Sequence, residues 1–125
     1  MLSWIFGKET ASTVHVSQKN KAAGILELEN ARIRWLLSLD IEDIPAEVRK
    51  SGKRTYRSIT VDGEEFEFSE GFTELHTQTY REILTGHGFG LEDARQSIET
   101  VYNIRNSQPA GLTGDYHPFL KKIKL

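Results

Sequence analysis

The stretch GHGFG at residues 86–90 invites a chemical reading by its spacing, because glycine-rich turns let backbone amides close around a phosphate. The dinucleotide-binding pattern, however, is G-x-G-x-x-G placed between a strand and a helix. Here the glycines follow a helical pattern and Leu91 stands where the third should be, so a helix-to-helix turn accounts for them better. The four histidines, His15, His76, His87 and His117, show no i, i+4 pair and no acidic partner at ligand spacing, which argues against a metal site. His76 and Tyr80 share one face of a predicted helix, where they either bind a polar ligand or pack half-buried. Arg54 and Arg57 flank Tyr56 at the start of a predicted strand. The Arg57 guanidinium either stacks on Phe68 or reaches past the sheet edge to a carboxylate or pyrophosphate, for which it offers paired donors. No nucleophile has a nearby base on a recognisable turn, so no catalytic residue is assigned.

Composition narrows the classes. The chain has 125 residues, 38% hydrophobic and 27% charged, which fits one globular domain with a single core. Sixteen Lys and Arg against eighteen Asp and Glu leave a net charge of −2, without the basic footprint of a nucleic-acid or membrane-surface binder. The sequence contains no cysteine, which excludes disulfides and thiolate chemistry, and no apolar run approaches the ~20 residues of a membrane-spanning helix. A cytoplasmic compartment is the default expectation.

The elements that must position these residues are strands first and helices after. Residues 12–17, STVHVS, alternate weakly, and QKNK after them reads as a polar turn. In AGILELENARIRWLLSLD a hairpin turn at Glu29–Asn30, where Asn tolerates positive φ, places Leu28 opposite Ala31, Leu26 opposite Ile33 and Gly24 opposite Trp35 on one face. Glu27 then pairs with Arg32 on the other. A second hairpin turns at Asp62–Gly63, with Ile59, Val61, Phe66 and Phe68 on one face and Tyr56, Ser58, Thr60, Glu65 and Glu67 on the other. Between the hairpins, Pro45 and Ser51–Gly52 mark a loop.

Helical spacing then recurs at Phe72, Leu75, His76, Thr79 and Ile83, ended by Gly86, and again at Leu91, Ala94, Ile98 and Val101, with Glu92 and Asp93 in the first turn. The expected fold is α+β: an open-faced, mainly antiparallel, five-stranded sheet with both helices on one face. The other face mixes Ile25, Arg34, Leu36, Tyr56 and Thr60, and is either solvated surface or a subunit interface. The interface reading predicts that Arg34, Leu36, Tyr56 and Ser58 lose exposure in a homo-oligomer.

Four blocks carry a resemblance: KAAGILELENARIRWLLSLD, KRTYRSITVDGEEFEFSEGFTELHTQTYREIL, GFGLEDARQSIETVYNIRNS and GDYHPFL. Together they resemble the C-terminal part of the Gfo/Idh/MocA oxidoreductases, and most of all the dehydrogenases that oxidise the 3-hydroxyl of UDP-N-acetylglucosaminuronic acid in lipopolysaccharide O-antigen synthesis. The resemblance implies a parent enzyme with an N-terminal Rossmann domain that holds NAD and a catalytic lysine. It also implies a C-terminal sheet domain that completes the UDP-sugar site and builds oligomers.

It gives the opening stretch MLSWIFG a meaning too: the last turns of a helix closed by Gly7, which in the family begins upstream with a segment carrying a catalytic Asp and His. Residues 1–125 are then a single substrate-side and oligomerisation domain without its Rossmann partner, the alternative being a stand-alone small α+β binding or oligomerisation module with its own ligand. They are expected to bind no NAD, to be inactive alone, and to hold UDP-sugar weakly through Arg54, Tyr56, Arg57 and His76.

Overall fold

The computed structural model of the chain describes residues 1–70 and 73–122. It divides into two compact units, Met1–Leu39 with Gly90–Leu125, and Asp40–Phe89.

In the first unit, helix α1 (Leu2–Phe6) leads into strands β1 (Glu9–Ser17), β2 (Lys21–Leu28) and β3 (Ala31–Ser38), an antiparallel sheet in the order β1-β2-β3. Gly7 closes α1 at φ 88°, its amide donating to the Ser3 carbonyl at 3.1 Å. The β2–β3 register is the one the sequence predicts: Leu28 faces Ala31, Leu26 faces Ile33 and Gly24 faces Trp35, while Arg32 meets Glu27 at 3.0 Å. The turn itself differs from expectation. Neither Glu29 nor Asn30 has positive φ, and their amides donate to the carbonyls of Lys8 and Phe6, so the neighbouring segment holds the turn rather than a local preference.

Strand β1 begins three residues before the predicted 12–17, because Glu9 and Ala11 find partners in Leu28 and Glu27, a long-range pairing invisible to local alternation. Its register slips between Val14 and Val16, leaving His15 as the extra residue of a β-bulge.

Helix α4 (Leu91–Asn106) contacts β1 through an unexpected side. Its predicted apolar stripe is exposed, with Leu91 at 85%, Ile98 at 63% and Val101 at 54%, whereas Gln96, Thr100 and Ile104 are half-buried. Lys8 just before β1 and Glu9 and Thr10 at its start offer a polar surface there, and Gln96, Glu99, Thr100 and Asn103 of the helix turn toward it. The mixed sheet face bearing Ile25, Arg34 and Leu36 is not bare either. The C-terminal segment crosses it, with Leu120 buried against Val16 and Ala23, and Leu36 and Tyr116 packed around them.

In the second unit, a 3-10 turn (Ile41–Asp43) and helix α2 (Ala46–Lys50) occupy the expected loop, with Pro45 just before the helix and Gly52 at φ 83° just beyond its end. Strands β4 (Ser58–Val61) and β5 (Glu64–Glu67) form a separate two-stranded sheet, so the five predicted strands divide three and two. Asp62 and Gly63 adopt the positive φ values that a two-residue hairpin turn asks for, 51° and 89°. Helix α3 (Leu75–Leu84) follows and stops before Gly86 at φ 83°; Phe72, expected in its stripe, lies outside the described residues.

The sheet register makes a prediction at Gly24, where an added Cβ would strike the Thr13 carbonyl oxygen and come within 2.8 Å of the Trp35 ring. Gly24→Ala should cost about 1–3 kcal/mol, read as a lowered urea midpoint with unchanged slope. An unchanged midpoint would contradict the register.

Candidate functional site

Two polar clusters could serve a ligand, one in each unit. In the second unit, the hairpin places Tyr56, Ser58, Glu65 and Glu67 on one face, and the Tyr56 hydroxyl donates to Glu65 Oε1 at 2.6 Å. That bond to a carboxylate, with partial burial, holds the Tyr56 phenol above its usual range. Hydrogen bonds from Ser58 and Tyr56 hold Glu65 below the usual carboxylate range. Arg57 stands opposite Phe68 as expected: its carbonyl accepts from the Phe68 amide at 2.9 Å and its own amide donates to Ser69 Oγ at 2.8 Å.

Arg54 is exposed in the segment before β4, and His76 and Tyr80 are exposed on α3, so the half-buried packing expected of that pair is not found. None of the residues of this helix is buried. Of the residues expected to form an interface, Arg34 and Leu36 lie on the first sheet, and Tyr56 and Ser58 at the second; no single sheet carries all four.

The other cluster was not foreseen. On β3, Arg34 Nε lies 2.8 Å from Asp115 Oδ1 and Arg32 lies 3.4 Å from Oδ2, so one carboxylate ties the C-terminal segment to two arginines of the sheet. The hydrogen bond from Arg34 holds the Asp115 carboxyl below the usual range, and the same pairing raises Arg34. His15 Nδ1–H donates to the Gly111 carbonyl at 2.8 Å, and its ring meets Tyr116 edge-on with centroids 6.1 Å apart. Lys121 Nζ lies 5.7 Å from the centroid of Tyr116. Arg34, Gly114, Asp115, Tyr116, Pro118 and Lys121 line a recess of about 230 Å³. Two cations, a carboxylate and an aromatic ring suit it to polar binding. Its one signal in the sequence is the spacing of Arg32 and Arg34, two residues apart and so on one strand face.

GHGFG does not fit a pyrophosphate. A Cβ at Gly88 would lie 2.9 Å from Ile83 Cγ1, so this glycine serves the turn after α3. At the start of α4 the Gly90 amide already donates to the Asp93 carboxylate at 2.7 Å, where an anion would have to sit. Among the described residues, no three His, Cys, Asp or Glu side chains are grouped to hold a metal ion.

No family model matches the chain. Solved structures do. The WlbA (WbpB) dehydrogenase from Thermus thermophilus in complex with NAD and alpha-ketoglutarate is 49% identical to it at a TM-score of 0.89. The same enzyme in complex with NAD and UDP-GlcNAcA is 47% identical at a TM-score of 0.88. In each case 94% of this chain is covered. The chain matches the C-terminal domain of this dehydrogenase type. It spans 38% of the length of the WlbA chains it resembles. The α+β class with antiparallel sheets and helices, expected from the residues, is the class of that domain.

The Tyr56–Glu65 contact couples the two titrations. Replacing the carboxylate, Glu65→Gln, should return the Tyr56 phenol toward the ordinary value of about 10, followed by the ring carbon shifts of Tyr56 during an alkaline NMR titration. A titration identical to wild type would mean that the hydroxyl does not donate to Glu65 in solution.

Proposed function

We propose that this chain acts as the substrate-side and oligomerisation domain of an NAD-dependent dehydrogenase that oxidises the 3-hydroxyl of UDP-N-acetylglucosaminuronic acid, in the cytoplasm, for lipopolysaccharide O-antigen sugars. The observation that carries the reading is the near half-identity over 94% of the chain to an enzyme crystallised with NAD and UDP-GlcNAcA. In this reading NAD and the catalytic groups belong to a Rossmann portion, and UDP-sugar is the partner that both portions grip. This domain contributes binding groups, for which Arg54, Tyr56, Arg57 and His76 are the candidates. Homo-oligomers form through what each sheet leaves open: in the second unit Tyr56 and Ser58, and in the first the parts of Arg34 and Leu36 that the C-terminal segment does not cover.

The outward apolar stripe of α4 supports the division of labour. Leu91, Ile98 and Val101 on α4, with Trp4 on α1, leave an apolar surface uncovered, as expected where a second domain packs. Among the described residues, no helix is long and apolar enough to cross a membrane.

Hydride transfer requires the nicotinamide beside the carbinol and a base at the hydroxyl. The chain by itself should therefore bind no NADH by calorimetry, hold UDP-N-acetylglucosaminuronic acid no tighter than millimolar, and scatter light as a dimer or larger. Mixed with the separately produced NAD-binding portion of the Thermus enzyme, it should restore UDP-sugar-dependent NADH formation that neither piece gives alone. Micromolar NADH binding or turnover by the chain alone would overturn the reading, and so would a mixture no more active than its parts.

A further inference from the structure

The C-terminal segment is fixed to the sheet in two distinct ways. Its first part is anchored: the Ala110 amide donates to the Val14 carbonyl at 2.8 Å, His15 donates to Gly111, and Asp115 is gripped by Arg32 and Arg34. A later part, the 3-10 turn Pro118–Lys121, is held by Leu120, 3% exposed against Val16 and Ala23, and by the side chain that opens the turn. That side chain is His117, whose Nδ1 accepts the Phe119 amide at 3.2 Å. An acceptor nitrogen with no proton is a requirement of this geometry. Protonated at Nδ1, the ring would point a donor at a donor.

We propose that His117 is a proton-sensitive latch: neutral, it caps the Pro118–Lys121 turn and seats Leu120 on the sheet, and protonated, it releases both while the Ala110–Asp115 anchor stays in place. The surroundings set the direction. Burial disfavours the charged ring and Arg34, reaching in from β3, adds repulsion, so His117 sits below the ordinary histidine value. Among the described residues, the other ionisable groups of this segment and the sheet face beneath it include Asp115, which Arg34 and Arg32 neutralise, Tyr116 and Lys121 on the same segment, His15 on β1 at the Tyr116 ring, and the buried Lys21 on β2. The lowered value means that the open state binds the proton more readily. Latch stability is therefore complete above the unfolded value of about 6.5 and is lost as pH falls below it toward the folded value. Opening would uncover Val16, Ala23 and Leu36, changing the apolar character of the sheet face.

The test is NMR of the intact 125-residue chain between pH 7.5 and 5. The Leu120 methyl resonances should move to solvent-exposed positions together with the His117 ring titration, while the Ala110 amide keeps its protection after correction for intrinsic exchange. His117→Asn, which restores a capping acceptor that does not titrate, should keep Leu120 seated at both ends of the range. His117→Ala should raise the open population at pH 7.5 by several-fold, the size expected for a lost cap. The proposal is overturned if His117 titrates without any change at Leu120, or if His117→Asn follows the wild-type profile.

Discussion

Trp35 lies over the bare α-carbon of Gly24, and this contact settles the alignment of β2 with β3. A slip of one residue would invert every side chain between the two faces. In the observed register Arg32, Arg34 and Leu36 share a face with Ala23 and Ile25. That face receives Leu120 and Tyr116, and it presents two guanidinium groups to Asp115. A steric vacancy on one side of the sheet thus decides which residues form the charged and apolar bed for the C-terminal segment on the other.

Burial is distributed unequally. The buried apolar residues described, Val14, Val16, Ala23, Ile25, Leu26, Leu28 and Leu120, all belong to the first unit, and none of the described residues of the second unit is buried. A two-stranded hairpin and a helix of ten residues are each marginal in water without a packed face. Ion pairs of the second unit such as Lys53 with Glu70 and Arg49 with Glu42 involve exposed or half-exposed groups and add little. Local geometry therefore specifies this unit, through the Asp62–Gly63 turn and the Tyr56–Glu65 bond. Its Phe66, Leu75, Tyr80 and Leu84 are left uncovered.

What could be read from the residues was whatever nearby residues decide. Both hairpins were legible because turn and alternation lie within twenty residues of each other, and cross-strand partners such as Glu27 and Arg32 agree with them. The early start of β1 was not, since Glu9 and Ala11 become strand by meeting Leu28 and Glu27 rather than by any pattern of their own. Amphipathicity found α4 but not its orientation. A 3.6-residue stripe says that one side of a helix wants cover and nothing about what supplies it. The C-terminal segment left no periodic trace, and its docking depends on a carboxylate 81 residues from Arg34. Of the candidate binding residues, Tyr56 is engaged with Glu65, Arg57 pairs with Phe68 through its backbone, and His76 lies exposed on the helix where it was expected.

The electrostatics of the two clusters are set by their own pairings. General acid–base work needs a group whose pKa lies near the working pH. Here the environment drives candidates away from neutrality: Asp115 is lowered by Arg34, Glu65 is lowered by Ser58 and Tyr56, and Tyr56 is raised by Glu65. His117, nearer to neutrality, has its Nδ1 committed to the Phe119 amide. Groups arranged in this way keep their charges fixed and their donors directed at one another. The same pairings that stabilise the fold thus also fix the charge state of the groups in both clusters.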